Sequence, residues 1–306
     1  MNDSSGRVID MNIIESTSTP FGFASRAAMA STAFVVAAFA TLLGLLYANV
    51  LPDLVYDWWD DPNYSHGFLV PLFSAYLVYQ RRASILATEF RPSWWGLAPI
   101  LIGVVSLVLG QVGAEAFVSR ASLIIILAGL TWFHAGWPML RAMMFPLAFL
   151  FFMVPLPAVL FYAVAFPLQG LAAQNAAWIL DHMGVPVLID GNVIHLSHIS
   201  LGVTEACSGI RSLISLLALA LAWAALALPG TVTMAIFAIV TIPITIVANA
   251  GRVVVTGLIG QWFGRQYAEG FFHMASGWII FVFAFMCLVV VDRGLRFVMA
   301  RKRSRP

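Results

Sequence analysis

Three residues of this chain have side chains able to act on a carbonyl centre, and they stand in three separate stretches: Cys207 in "TEACSGIRSL", Arg252 in "ANAGRV" and His273 in "GFFHMASG". Cysteine attacks as its thiolate, and a helix N-terminus lowers the thiol pKa. Cys207 immediately precedes an apolar run that starts near Gly209, which puts it beside the positive end of a helix dipole. If the helix already includes Cys207, Arg211 lies one turn on along the same face. A histidine beside a thiolate can protonate a leaving amine. An arginine can stabilise the oxyanion of a tetrahedral intermediate. Together these are the parts of an acyl-transfer site acting on peptide bonds. Asn249, one helical turn before Arg252, adds a second polar side chain to one face of an apolar helix, where polar groups are costly and usually functional. Glu205 and Ser208 flank the cysteine, and the carboxylate can orient a histidine or an arginine. His66, in "NYSHGF", competes with His273 as proton carrier, and the residue types leave that choice open.

Each residue also has a plainer reading. A lone membrane cysteine is usually a small buried residue, an arginine at a span end can snorkel to headgroups, and interfacial histidines are common. Only their meeting at one depth makes the chemistry credible, and depth depends on the spans. The chain has 306 residues, 61% hydrophobic and 10% charged, against about 25% charged in soluble domains. It reads as an all-α polytopic membrane protein. A span needs about 20 apolar residues, which places eight near 27–50, 67–80, 94–112, 121–137, 142–157, 209–228, 231–259 and 275–292. The stretch 158–180 contains Pro167, Gln169, Gln174 and Asn175 and reads as an interfacial or re-entrant helix on the outer side. A polar, Ser/Thr-rich segment, 1–26, precedes the membrane domain at 27–292. A basic tail, 293–306, follows it, and no soluble domain is expected beyond. The first run is too long for a signal peptide and reads as an uncleaved span.

With the N-terminus inside, only Arg120, Arg211, Arg252 and Arg265 of the 16 Lys and Arg fall outside, leaving 12 inside. That asymmetry is the one cytoplasmic loops carry, and it predicts both termini inside the cell. The outer side then holds three pieces expected to pack as a small cap: 51–66, 181–206 and 260–273. The second has β-branched residues around Asp190-Gly191-Asn192, which suggests a hairpin near 185–204. Cys207 lies at the outer boundary. Arg252, 21 residues above Thr231, rises about 32 Å to the same level, and His273 begins the last descent.

Other signals are weaker. Cys207 and Cys287 should lie at different depths, so neither a disulfide nor a zinc motif is expected. His195 and His198 with Asp190 make a poor metal site, because H-x-x-H on a strand sends the rings to opposite faces. No cofactor is called for. A net charge of +2 with dispersed arginines gives no sign of nucleic acid. Trp58, Trp59 and Trp262 read as interfacial belt residues.

"ACSGIRSL" at 206–213, "NAGRV" at 249–253 and "FFHMASG" at 271–277 resemble the exosortase/archaeosortase family of membrane transpeptidase-like cysteine proteases. "YSHGFLVPLFSAYLVYQRR" at 64–82 and "VPLP" at 154–157 are also similar to that family, so the likeness extends from about 27 to 292. The resemblance implies a Cys207, Arg252, His273 site. It implies as substrates exported proteins with a C-terminal tail: a short motif, often Pro-Glu-Pro, then a hydrophobic helix and a basic cluster. It also implies a bacterial inner-membrane setting and an acceptor that is water or an envelope amine. The competing class is a transporter or assembly component for envelope exopolysaccharide, with Arg252 and Asn249 lining a polar path. A transporter should carry ionisable groups near the midplane, and the span interiors here are nearly clean of them.

Overall fold

The computed structural model describes residue 34 and residues 37–203, 209–228, 230–264, 266–267 and 271–303, with backbone only for 271–275, 302 and 303. The chain divides into a unit of residues 1–49, in which helix α1 (Ala37–Leu46) is described, and a unit of residues 50–306. The second unit contains α2 (Val50–Asp60), α3 (Leu69–Gln80), α4 (Arg82–Leu86), α5 (Leu97–Val112), α6 (Ala116–Ala135), α7 (Trp137–Phe149), α8 (Ala158–His182), α9 (Ile210–Ala227), α10 (Thr231–Phe263) and α11 (Phe271–Arg303). Short 3-10 turns at Ser65–Phe68, Trp94–Gly96 and Leu150–Met153 connect them.

The protein is an all-α multi-pass membrane protein. Among the described residues, 5 helices are long and apolar enough to cross a bilayer, or up to 7 if each of two bent pairs counts as one span. The sequence reading of eight exceeds this: the first run, 27–50, counts only if its bent pair is a single span, and α3 and α7 are each too short to cross alone. They have 12 and 13 residues, roughly 18–20 Å at 1.5 Å per residue against a hydrocarbon core of about 30 Å. The run expected at 142–157 is divided: α7 ends at Phe149, a 3-10 turn follows, and α8 leaves at 79°.

The stretch 158–180 lies within one continuous helix, α8 (Ala158–His182), of 25 residues despite Pro167. Its first half packs Phe161 and Ala165 on Ile210 and Ile214, in the first turns of α9. Its second half packs Ala172, Ala173, Ala176 and Leu180 on Val253 and Val254 of α10. These partners all lie at the end of α9 and α10 where Gly209 meets Asn249. The helix therefore lies across one end of the bundle. Over its second half sits a three-stranded antiparallel sheet: β1 (Val187–Asp190), β2 (Val193–Leu196) and β3 (Ser200–Gly202), with Asp190 paired to Val193 and His195 to Ser200. Ile194 and Leu196 point down onto α8 and close this small core.

Two groups of helices meet along α9. On one side α5 and α6 form a hairpin at close range. A Cβ added at Gly129 would lie 2.7 Å from the Ile100 side chain, the close backbone approach that small residues permit in membranes. On the other side α9, α10 and α11 share a core of Leu216, Ala220, Ala224, Phe237, Ala248, Ala284 and Leu288. Ala218 and Ala222, on the opposite face of α9, join the core formed with Ile124, Leu140, Leu147 and Leu150. Arg296 of α11 donates to the Ala227 carbonyl at 2.9 Å while also bonded to the buried Asp292. This supplies one of the partners that helix C-termini lack.

Candidate active site

The described parts of the stretches that carried the sequence argument pack on one another: Gly209 on Asn249, and Arg252 on Ser276. The segment 58–68 is the first part. Trp58 is 8% exposed, and its indole N–H donates to the Met153 carbonyl at 2.8 Å. It is a core residue, unlike Trp59 and Trp262, which are exposed. The reading of Trp58 as an interfacial belt residue is thus corrected. The Tyr64 hydroxyl accepts the Leu156 N–H at 3.2 Å, which ties "YSHGF" to "VPLP". An ion pair between the buried Arg120 and the half-exposed Asp57, at 2.6 Å, joins α6 to α2.

His66 is held between two elements. Its Nε2 lies 3.1 Å from the Phe152 carbonyl, and its Nδ1 lies 3.4 Å from Ser215 Oγ on α9. Burial pushes its pKa below the usual value, partly offset by the bonds to the Phe152 and Asn63 carbonyls. Both ring nitrogens thus have protein neighbours.

The start of α9 differs from the expected one. Gly209 is its N-cap, in the left-handed conformation with φ 82°, and the helix begins at Ile210. The same-face relation of Cys207 to Arg211, which needs helix through 207, falls on a position outside the described residues. Gly209 also sits directly on α10: an added Cβ would lie 2.9 Å from Asn249 Cγ. Asn249 is 3% exposed. Glu205, Cys207 and Ser208 lie outside the described residues. The chain resumes two residues after Cys207, against Asn249.

One turn beyond Asn249, the Arg252 Nε–H donates to Ser276 Oγ at 3.3 Å, in the second turn of α11. Ser276 is 8% exposed. Gly277 adjoins the same guanidinium, where an added Cβ would be 3.6 Å from Nη2. Position 273 falls in the first turn of α11, three residues before Ser276 and so on the same side of the helix. Helix α10 continues to Phe263, past Arg252. The arginine is thus a mid-helix side chain held by a neighbouring helix, not a terminal one. Arg211, in the first turn of α9, donates from Nε to Asn63 Oδ1 at 3.0 Å. His195, the metal candidate set aside above, is half-buried on the sheet with Nδ1 2.8 Å from Ser200 Oγ.

Sequence reasoning missed Asn63, Ser215, Ser276 and the packing role of Gly209. Ser276 lies within "FFHMASG" and Gly209 within "CSGI", but a hydroxyl or a glycine inside a motif does not disclose its partner. Asn63 lies just ahead of "YSHGF", and only its contact with Arg211, 148 residues away, gives it meaning.

The architecture is that of a membrane-embedded helical protein with a polar site at one end of its bundle, fed by four distant segments. The transmembrane exosortase family model matches residues 58–290, and the chain belongs to that family. Membership supports a membrane sorting transpeptidase, and the family is in general one of cysteine proteases and transpeptidases. Comparisons with curated proteins and with solved structures return no match.

Proposed function

We propose that this protein cleaves the C-terminal sorting signal of exported proteins and transfers or releases the processed chain. The observation that carries the reading is the bridge across α9, α10 and α11. Gly209 lies on Asn249, and Arg252 is tied to Ser276 one turn from position 273. That bridge supports a site built from Cys207, Arg252 and His273.

In this mechanism the Cys207 thiolate attacks the substrate carbonyl. A C–S bond forms, and the carbonyl π pair moves to oxygen. Arg252 hydrogen-bonds the resulting oxyanion, a role worth about 10²–10³ in rate for a single donor. His273 gives its proton to the leaving amine as the C–N bond breaks. Water or an envelope amine then attacks the thioester, and His273 takes back the proton. Ser276 positions the arginine, Asn249 supports the loop before α9, and Glu205 and Ser208 flank the nucleophile. No cofactor or metal enters the scheme.

The site faces outward from a bacterial inner membrane, with both termini inside. The charge asymmetry supports this orientation, as does the substrate: a tail with a basic inner end would present its motif at the outer interface. A membrane domain spanning 27–292, a cytoplasmic segment before it and a basic cytoplasmic tail fit the same reading. The test is Cys207→Ala beside wild type, in cells making an exported reporter that carries a Pro-Glu-Pro tail. Mass spectrometry for an acyl adduct on Cys207 accompanies it. Loss of processing with an adduct trapped on the wild type is expected. Normal processing by Cys207→Ala would remove the nucleophile assignment.

A further inference from the structure

Helix α6 is a span of 20 residues, about 30 Å long, which is the thickness of the hydrocarbon core. Its two ends therefore mark the two membrane boundaries. Helix α7 turns back at once at Gly136, where the Trp132 and Trp137 rings are 5.1 Å apart. Near the other end of α6, Trp58 stands next to Asp57, the partner of Arg120, and bonds the Met153 carbonyl just past α7. So α7 retraces α6, and Arg141, five residues after Gly136, lies about 7 Å inside the boundary. Phe145 is one turn further in, on the same face of α7. At the end of α3, the Arg81 guanidinium lies over that ring, 5.7 Å from its centroid. Two arginines thus meet on one face of α7, both beneath the boundary. Arg81 is half-buried and Arg141 is exposed. Arg82, beside them, is folded back: its Nη1–H donates to the Tyr79 carbonyl at 3.0 Å, and its guanidinium lies 4.2 Å from the Tyr79 ring centroid.

Among the described residues no acid answers these charges. From Asn63 to Leu180 the sequence holds only Glu89 and Glu115. Glu89 pairs with Arg91 at 2.8 Å, and Glu115 caps α6 at its opposite end. Neither Arg81 nor Arg141 has an ion pair among the described residues. Positive charge below the membrane boundary is costly, and a phosphate fits the guanidinium fork. Nearby, Tyr79, Leu86 and Met144 are exposed, an apolar flank that acyl chains cover and a water-soluble anion leaves bare. Basic recesses between helices at the cytoplasmic side are where anionic headgroups bind. We propose that Arg81 and Arg141 together hold the headgroup phosphate of an anionic phospholipid where the end of α3 meets the start of α7. The leaflet is the inner one in the orientation proposed above, and the site does not depend on Cys207.

The experiment titrates the purified full chain in detergent with phosphatidylglycerol or with phosphatidylcholine of the same acyl chains, and reads bound lipid by native mass spectrometry. Two arginines near the membrane surface predict that phosphatidylglycerol binds about 30-fold tighter. Arg81→Gln or Arg141→Gln should each lower that ratio to about fivefold, and the double variant should bring it to about one. Arg91→Gln, which removes an arginine already paired with Glu89, should leave it unchanged. Inorganic phosphate should not displace the lipid. Thermal midpoints in phosphatidylcholine nanodiscs check that each variant is folded. Equal binding of the two lipids by the wild type overturns the inference. So does a preference that survives the double variant, or one that Arg91→Gln removes as fully. Displacement by inorganic phosphate overturns it in favour of a soluble anion. If the double variant does not fold, the single variants decide, and a ratio unchanged in both overturns the inference as well.

Discussion

Gly209→Ala should damage this protein far more than its small size suggests. Gly209 caps α9 with φ 82°, a conformation that costs an L-residue about 1–2 kcal/mol. The new methyl would also meet Asn249 Cγ at 2.9 Å and Cβ at 3.0 Å. Asn249 is 3% exposed and has little room to yield. Overpacking of this kind costs about 1–3 kcal/mol, so the total is roughly 2–5 kcal/mol. Gly209 stands two residues from Cys207 in the chain, and a shift of about 1 Å in a reacting group can cost about 10²-fold. The contrasting variant is Gly251→Ala, two residues past Asn249 in "NAGRV". That glycine has nothing within 4 Å of its added Cβ and lies inside α10, so alanine should stabilise by about 1 kcal/mol. The assay pairs the thermal midpoint in detergent with the rate of reporter processing in cells. Gly209→Ala should lower both, and Gly251→Ala should raise the midpoint without slowing processing. The reasoning fails if Gly209→Ala matches the wild type in both, or if the two variants fall in the same direction.

Three further outcomes can be checked. Arg252→Lys keeps the charge but loses the fork, and should slow processing about 10²–10³-fold; Ser276→Ala, which removes the acceptor of the Arg252 Nε–H, should slow it about tenfold, both at unchanged protein level by immunoblot. Because burial lowers the His66 pKa, the unfolded chain binds that proton more readily. Stability should be full above the unfolded value of about 6.5 and should fall as pH drops below it. Thermal midpoints between pH 7.5 and 5 should therefore fall more in wild type than in His66→Gln. Asp57→Asn strands the Arg120 guanidinium, whose side chain is 8% exposed, and should cost about 1–3 kcal/mol; adding Arg120→Met should recover much of that in a denaturation cycle.

The long spans α9, α10 and α11 were legible because hydropathy is a sum along the chain, and each run is long and nearly free of charge. The candidate residues were legible because their types are few: two cysteines and six histidines in the whole chain. The short helices were not. Leu69–Gln80 and Trp137–Phe149 are as apolar as true spans, and their ends are set by a 3-10 turn and by the bend into α8. Trp58 was misread for a related reason. An indole looks alike in sequence whether it meets lipid or the Met153 carbonyl.

By itself the sequence determined that the chain lives in a membrane, which residue types could do acyl-transfer chemistry, and that Asn249 and Arg252 share a helix face. These follow from composition and from the 3.6-residue period, both local properties. Only the tertiary structure decided that Gly209 rests on Asn249, that Arg252 is held by Ser276, that His66 is locked between Phe152 and Ser215, and that Arg211 is aligned by Asn63. Those contacts join positions 24 to 149 residues apart. They depend on which helices pack as neighbours and at what height, a product of side-chain fit across the whole bundle that no window of sequence contains.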